Sequence, residues 1–116
     1  MLKLKKVIFE FFLLYLIASA ERVEIFKRGR VIDFYVKQNY QSAIEFPEPI
    51  SQVITSYPEG VATYSVSDNK FFFLLSGPWE GIIFVIGESG QTYPVRVRQV
   101  LDNPDIVLKV EARISS

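Results

Sequence analysis

From residue 30 onward the chain either alternates apolar and polar positions or runs apolar for five or six residues between turn signals. "RVIDFYVK" (30–37) follows Gly29 and is rich in β-branched and aromatic residues, which suit a pleated, half-buried surface. "GVATYSV" (60–66) puts Val61, Thr63 and Ser65 on one face and Ala62, Tyr64 and Val66 on the other. "SDN" (67–69) is turn chemistry, and "KFFFLL" (70–75) is a continuous apolar run closed by Ser76-Gly77-Pro78. "GIIFVIG" (81–87) is a second such run, turned by Glu88-Ser89-Gly90 into "QTYPVRVRQVL" (91–101). There Tyr93, Val95 and Val97 oppose Arg96 and Arg98, the period of two of a half-buried strand. After Asp102-Asn103-Pro104, "DIVLKVEARI" (105–114) alternates again. No helical periodicity competes with these signals after residue 20. The pattern predicts an all-β fold, a small antiparallel β-sandwich of about 7–8 strands, with 71–75 and 82–86 as central strands.

One stretch breaks the pattern. In "IEFPEPISQV" (44–53) a strand-like run is interrupted by Pro47 and Pro49 with Glu48 between them. Proline donates no ladder hydrogen bond, so both belong at an edge, a bulge or a strand start.

The first twenty residues read as an export signal. Lys3, Lys5 and Lys6 form a basic region, "FFLLYLIA" (11–18) a short apolar one, and Ala18-Ser19-Ala20 a cleavage site. Glu10 weakens the apolar stretch, which is shorter than the roughly 20 residues of a spanning helix. Cleavage after Ala20 is expected ahead of an uncleaved anchor or a buried helix, leaving 21–116 as a single β-sandwich domain. No cysteine follows the apolar stretch to carry a lipid anchor. Of the 13 basic and 13 acidic side chains, Lys3, Lys5, Lys6 and Glu10 leave with the signal, so the remainder carries ten and twelve. A nucleic-acid surface needs a basic excess, and none is expected here.

The chain contains neither histidine nor cysteine. Ser-His-Asp and thiol catalysis, most zinc sites, iron–sulfur clusters and disulfides are therefore excluded. "GESG" (87–90) lacks the spacing of a nucleophile elbow, and no glycine cluster leads into a helix that could hold phosphate. Glu45 with Glu48, and Asp102 with Asp105, are the remaining acid–base or calcium candidates. Solvent-facing and turn positions explain them more simply, so neither catalysis, cofactor nor metal is expected. Two aromatics lie in turns: Tyr57 in "SYPEG" and Trp79 between Gly77 and Gly81. Each is a candidate partner anchor, against the simpler reading that Trp79 folds back over the end of the sandwich. Phe71, Phe72 and Phe73 cannot share one face, so an outward apolar patch is expected.

The segment 44–100 resembles the N-terminal β-domain of TraK-like proteins of conjugative type IV secretion outer-membrane core complexes, a pattern shared in part with secretin N-terminal domains. The similar features are the extended "IEFPEPISQV", the "PEG" turn, the "VATYSV" strand, the apolar strand after it, and "GIIFVIGESGQTYPVRV". That family usually adds a second β-domain, and the resemblance is to the first alone. It implies an exported, non-enzymatic structural or assembly component of a bacterial envelope secretion apparatus, in the periplasm or at the outer membrane. Protein partners in the envelope, further copies of the chain among them, would then meet it at Pro47, Pro49, Tyr57 and Trp79, with membrane contact through the N-terminal segment or the complex. The competing expectation is a free-standing exported binding module for a small molecule, glycan or protein.

Overall fold

The structure is a computed structural model and describes residues 21–112, so the expected signal at 1–20 lies outside the described residues. These residues form two packed sheets and no helix. Nine strands follow in order: β1 (Glu21–Phe26), β2 (Ile32–Val36), β3 (Gln41–Glu45), β4 (Ile50–Ile54), β5 (Ala62–Ser67), β6 (Lys70–Leu75), β7 (Gly81–Gly87), β8 (Thr92–Gln99) and β9 (Val107–Ala112). One sheet has the order β1-β9-β3-β6-β5 and the other β2-β8-β7-β4. The apolar runs form β6 and β7, and each lies between two neighbours, where both edges of the strand are paired.

The core follows the alternation. Phe34, Ile44, Phe71, Phe73, Ile83 and Val95 are fully buried where the sheets face each other, and Tyr93 and Val97 join them from β8. Phe34 meets Phe73 edge-on at 6.2 Å between ring centroids, joining β2 of one sheet to β6 of the other. Phe46 and Phe26 both pack against Tyr93, at 5.2 and 4.8 Å. Burial of four phenylalanines (Phe34, Phe46, Phe71, Phe73) supplies a core without a disulfide.

The expectation of a purely antiparallel sandwich with about 7–8 strands is corrected in two respects. There are nine strands among the described residues, and both sheets are mixed. β1 with β9, β9 with β3, and β2 with β8 run parallel. The reason lies in the connections. Only β5–β6 and β7–β8 join neighbours in one sheet, and the other six connections cross from one sheet to the other. A turn signal marks a change of direction, but not whether the chain folds back beside itself or over to the facing sheet. Gly29 and Asn39, in left-handed backbone at φ 81° and 68°, serve such crossings. Asp68 (φ 55°) and Gly90 (φ 89°) serve the two hairpins.

Candidate interaction surface

A sheet of finite width has edges, and an edge presents unpaired N–H and C=O groups to anything that passes. Four strands are at edges here, β1, β5, β2 and β4, and the fold treats them differently.

The β2 edge is sealed. Its outward-pointing groups belong to Asp33 and Tyr35, because the even-numbered residues pair toward β8. Arg22 Nη2 donates to the Asp33 carbonyl at 2.6 Å. The Tyr35 N–H donates to Asp105 Oδ2 at 2.9 Å, and the Tyr35 carbonyl accepts from the Asp105 N–H at 2.7 Å. Arg22 in turn grips Asp105 with two bonds of 2.9 Å, Nε to Oδ1 and Nη2 to Oδ2, and its guanidinium lies 5.2 Å from the centre of the Tyr35 ring. Asp105 is 7% exposed, so this fork is drier than an ordinary surface ion pair. It joins β1 of one sheet to β2 of the other. On the outer face beside it, Asp33 accepts from Arg96 Nε at 2.9 Å and Arg98 Nε at 3.0 Å. Partial burial works to raise the Asp33 carboxyl, but the two guanidinium bonds outweigh it and hold the group below its ordinary range.

The β4 edge is broken by the proline segment. Pro47 and Pro49 precede the strand, the register slips between Ile50 and Gln52, and the Ile50 N–H donates to the Asp68 carbonyl at 2.8 Å. The segment also places Glu48 over the β7–β8 hairpin. Glu48 accepts from Tyr93 Oη (2.6 Å), Ser89 Oγ (2.7 Å) and the Ser89 N–H (2.7 Å). Desolvation works to raise this carboxyl, and the three donors overcome it and hold the group below the usual carboxylate range. Burial and then the neighbouring carboxylate push the Tyr93 phenol up. Gly87 leaves the space this requires, since a Cβ there would run into the Glu48 carboxyl group. Pro47 is exposed and Pro49 half-buried, and both serve to aim Glu48.

Tyr57 and Trp79 are brought together. Their rings meet edge-on at 5.5 Å, Tyr57 reaches Phe73 at 6.2 Å, and both are half-buried against the core. The Trp79 ring lies over Gly81, where a Cβ would collide with it. The pair closes one end of the core and stands apart from the Pro47–Pro49 segment, which sits at the β7–β8 hairpin. Glu45 and Glu48 do not converge, nor do Asp102 and Asp105 share a ligand. Among the described residues no group of three acidic side chains could hold a metal ion.

The β1 edge carries Glu21, Arg22 and Glu24, charges that discourage strand addition. The β5 edge has none of these devices. "ATYSVS" contains no charge and no proline, and it pairs with β6 through six consecutive residues without a bulge. The Ser76 N–H donates to the Val61 carbonyl at 2.7 Å, which puts the odd-numbered residues of β5 in hydrogen-bonded pairs with β6. The N–H and C=O groups of Ala62, Tyr64 and Val66 therefore point away from the sheet. Their side chains are on the core face, but the β5 sheet is one strand wider than its partner. Tyr64 and Val66 remain 42% and 40% exposed, with Tyr64 stacked on Phe71 at 5.6 Å.

The outward sheet faces carry apolar positions too. Ile82, Phe84 and Ile54 are exposed, and Phe72 lines a shallow groove with Ala43 and Val107. A polar depression of ≈ 570 Å³ lies beside the β1–β2 connection, lined by Glu24, Lys27, Arg30, Asp33 and Arg96 among others. The sequence singles out Glu48 and Asp105 without their roles, and neither Arg22 nor the open β5 edge is among its candidates. Arg22 and Asp105 are 83 residues apart, and no local pattern links them. The β5 edge left a trace in the sequence: a six-residue alternating strand with no charged side chain.

No protein-family model matches this chain, and no curated protein matches it.

Proposed function

We propose that the protein is a non-enzymatic structural or assembly component of a bacterial cell-envelope complex, of the TraK-like type IV secretion kind that residues 44–100 resemble. The observation that carries this reading is the contrast among the four edges: three are sealed, broken or charged, while β5 offers aligned backbone groups and two exposed apolar side chains to a partner strand. Strand addition of this kind draws affinity from the main chain and specificity from alternate side chains. The test is gentle cross-linking of the envelope of source cells, followed by native electrophoresis. Migration far above the 13.3 kDa of one chain supports the reading, and a soluble periplasmic monomer overturns it.

The polar depression favours a second reading, a free-standing exported binding module. Lys27 and Arg30, with Glu24 and the Asp33–Arg96 pair around one concavity, suit a small polar ligand that carries both donors and acceptors. A ligand response there in a monomeric protein, with no larger assembly, is the result that would select it.

A further inference from the structure

We infer that the strand seated on the β5 edge is β5 of a second copy, running antiparallel across a two-fold axis at Ser65. The inference rests on the assembly reading above and names its partner. The strand is self-complementary. Because Ala62, Tyr64 and Val66 point their backbone groups outward, an antiparallel partner copy must set even-numbered residues opposite even-numbered ones. Apolar side chains then meet apolar ones, and the hydroxyls of Thr63, Ser65 and Ser67 meet hydroxyls.

Among these registers, the one with Ser65 opposite itself places Tyr64 against Val66 twice. Those are the two exposed apolar side chains of the strand, and each covers the other. Aromatic against β-branched is a favourable cross-strand pair. Each Tyr64–Val66 pair exchanges two backbone hydrogen bonds, and Thr63 faces Ser67 on the opposite side. No like charges meet, since "ATYSVS" carries none and the exposed turn residue Asp68 falls opposite Ala62 of the copy. The same operation fails on the other edges. On β1 the register about Val23 sets charged Glu21 against apolar Ile25, and Arg22 is already bound to Asp105, on β2 the outward groups are already bound to Arg22 and Asp105, and on β4 the bulge disrupts the ladder. Pairing two five-stranded sheets in this way makes one continuous sheet and removes the open edge from both copies.

The chain contains no cysteine, so a single introduced thiol reports on one position. The full chain carrying Ser65→Cys, purified in a mild non-ionic detergent, is oxidised with copper-phenanthroline and run without reductant. The same substitution is expressed in source cells, whose envelopes are oxidised in parallel. The expected result is a disulfide-linked species of twice the chain mass in both. Ser89→Cys, on the distant β7–β8 hairpin, should give none, and adding Val66→Lys to Ser65→Cys should reduce the product at least about tenfold. Light scattering of the unsubstituted chain should give twice the monomer mass, falling to one with Val66→Lys. A Ser65→Cys chain that stays monomeric in both settings overturns the inference, as does a dimer by scattering that Ser65→Cys does not capture. Capture of a different protein from the envelope overturns the self-partner while leaving the assembly reading in place. Dimers in detergent together with a free monomer in the envelope support the self-pairing and overturn the assembly reading.

Discussion

The β2 and β5 edges belong to one small sandwich and meet the same physical problem with opposite outcomes. At β2 the outward carbonyls of Asp33 and Tyr35 and the Tyr35 N–H are consumed by Arg22 and Asp105, at distances of 2.6 to 2.9 Å. At β5 the corresponding groups of Ala62, Tyr64 and Val66 point to solvent beside exposed apolar side chains. The first edge spends its hydrogen-bonding capacity on holding the two sheets together. The second keeps it available. A half-buried ionic clasp is a costly way to close an edge, because Asp105 loses nearly all its water and Arg22 part of its own. Such a device suits a place where the fold must be fixed, and its absence suits a place where something else must bind.

The largest expected effect comes from opening the sealed edge. Asp105→Ala removes the partner of the Arg22 fork and of the Tyr35 N–H, leaving only the backbone bond from residue 105 to the Tyr35 carbonyl, and should destabilise the fold by about 2–3 kcal/mol in urea unfolding. A loss under about 0.5 kcal/mol would mean that the clasp does not hold the sheets together.

Next is Gly87→Ala, which drives the Glu48 carboxyl group out of its place and should cost about 1–2 kcal/mol. The loss should shrink when Glu48 is already replaced by Ala, because the two act through one contact. Equal losses in both backgrounds would assign the effect to the glycine backbone instead.

Glu48→Gln should cost about 1 kcal/mol at neutral pH, since the cluster is partly open to water. The pH dependence has a definite sign. The folded state holds the carboxyls of Glu48 and Asp33 below their ordinary ranges, so the unfolded chain binds more protons as the pH falls. Their stabilisation is therefore complete above the ordinary glutamate value of 4.5 and is lost as the pH falls through the lowered values. Melting curves between neutral pH and pH 3 should show a smaller acid loss for Glu48→Gln than for the parent chain.

The smallest effect on stability is expected at the open edge. At concentrations low enough to keep both chains monomeric, Val66→Lys should change unfolding free energy by no more than about 0.5 kcal/mol. The same substitution should abolish self-association in light scattering, so that stability and assembly separate at β5 as they cannot at β2. A large loss of stability at Val66 would show instead that β5 is part of the closed core.

The proline segment shows how much of a local irregularity can be interpreted in advance. That Pro47 and Pro49 interrupt pairing follows from their missing N–H groups, and β4 does begin after them with a bulge. That they aim Glu48 at Ser89 and Tyr93 could not be seen, because those donors lie about 40 residues further on. The alternation in β8 likewise announced that Tyr93, Val95 and Val97 share the inward face, and all three are buried, whereas the continuous apolar runs of β6 and β7 did not show that Phe71, Phe73, Ile83 and Val85 would be the inward set. β1 went unread, since "ERVEIF" mixes charge with apolar residues and follows directly on the expected signal.

What the sequence alone determined is the class of structure and the two faces of the alternating strands β5, β8 and β9, because period-two patterning acts over neighbouring residues whatever the chain does elsewhere. Only the tertiary structure decided which turns fold back and which cross between sheets, and hence that β1, β9, β3, β2 and β8 enter parallel pairs. It also decided which edges are closed. Closure depends on groups such as Arg22 and Asp105 meeting across 83 residues, and no local preference encodes that meeting. The uncharged β5 strand was written in the sequence, but its openness exists because the topology leaves it at the end of its sheet, with no strand beyond it.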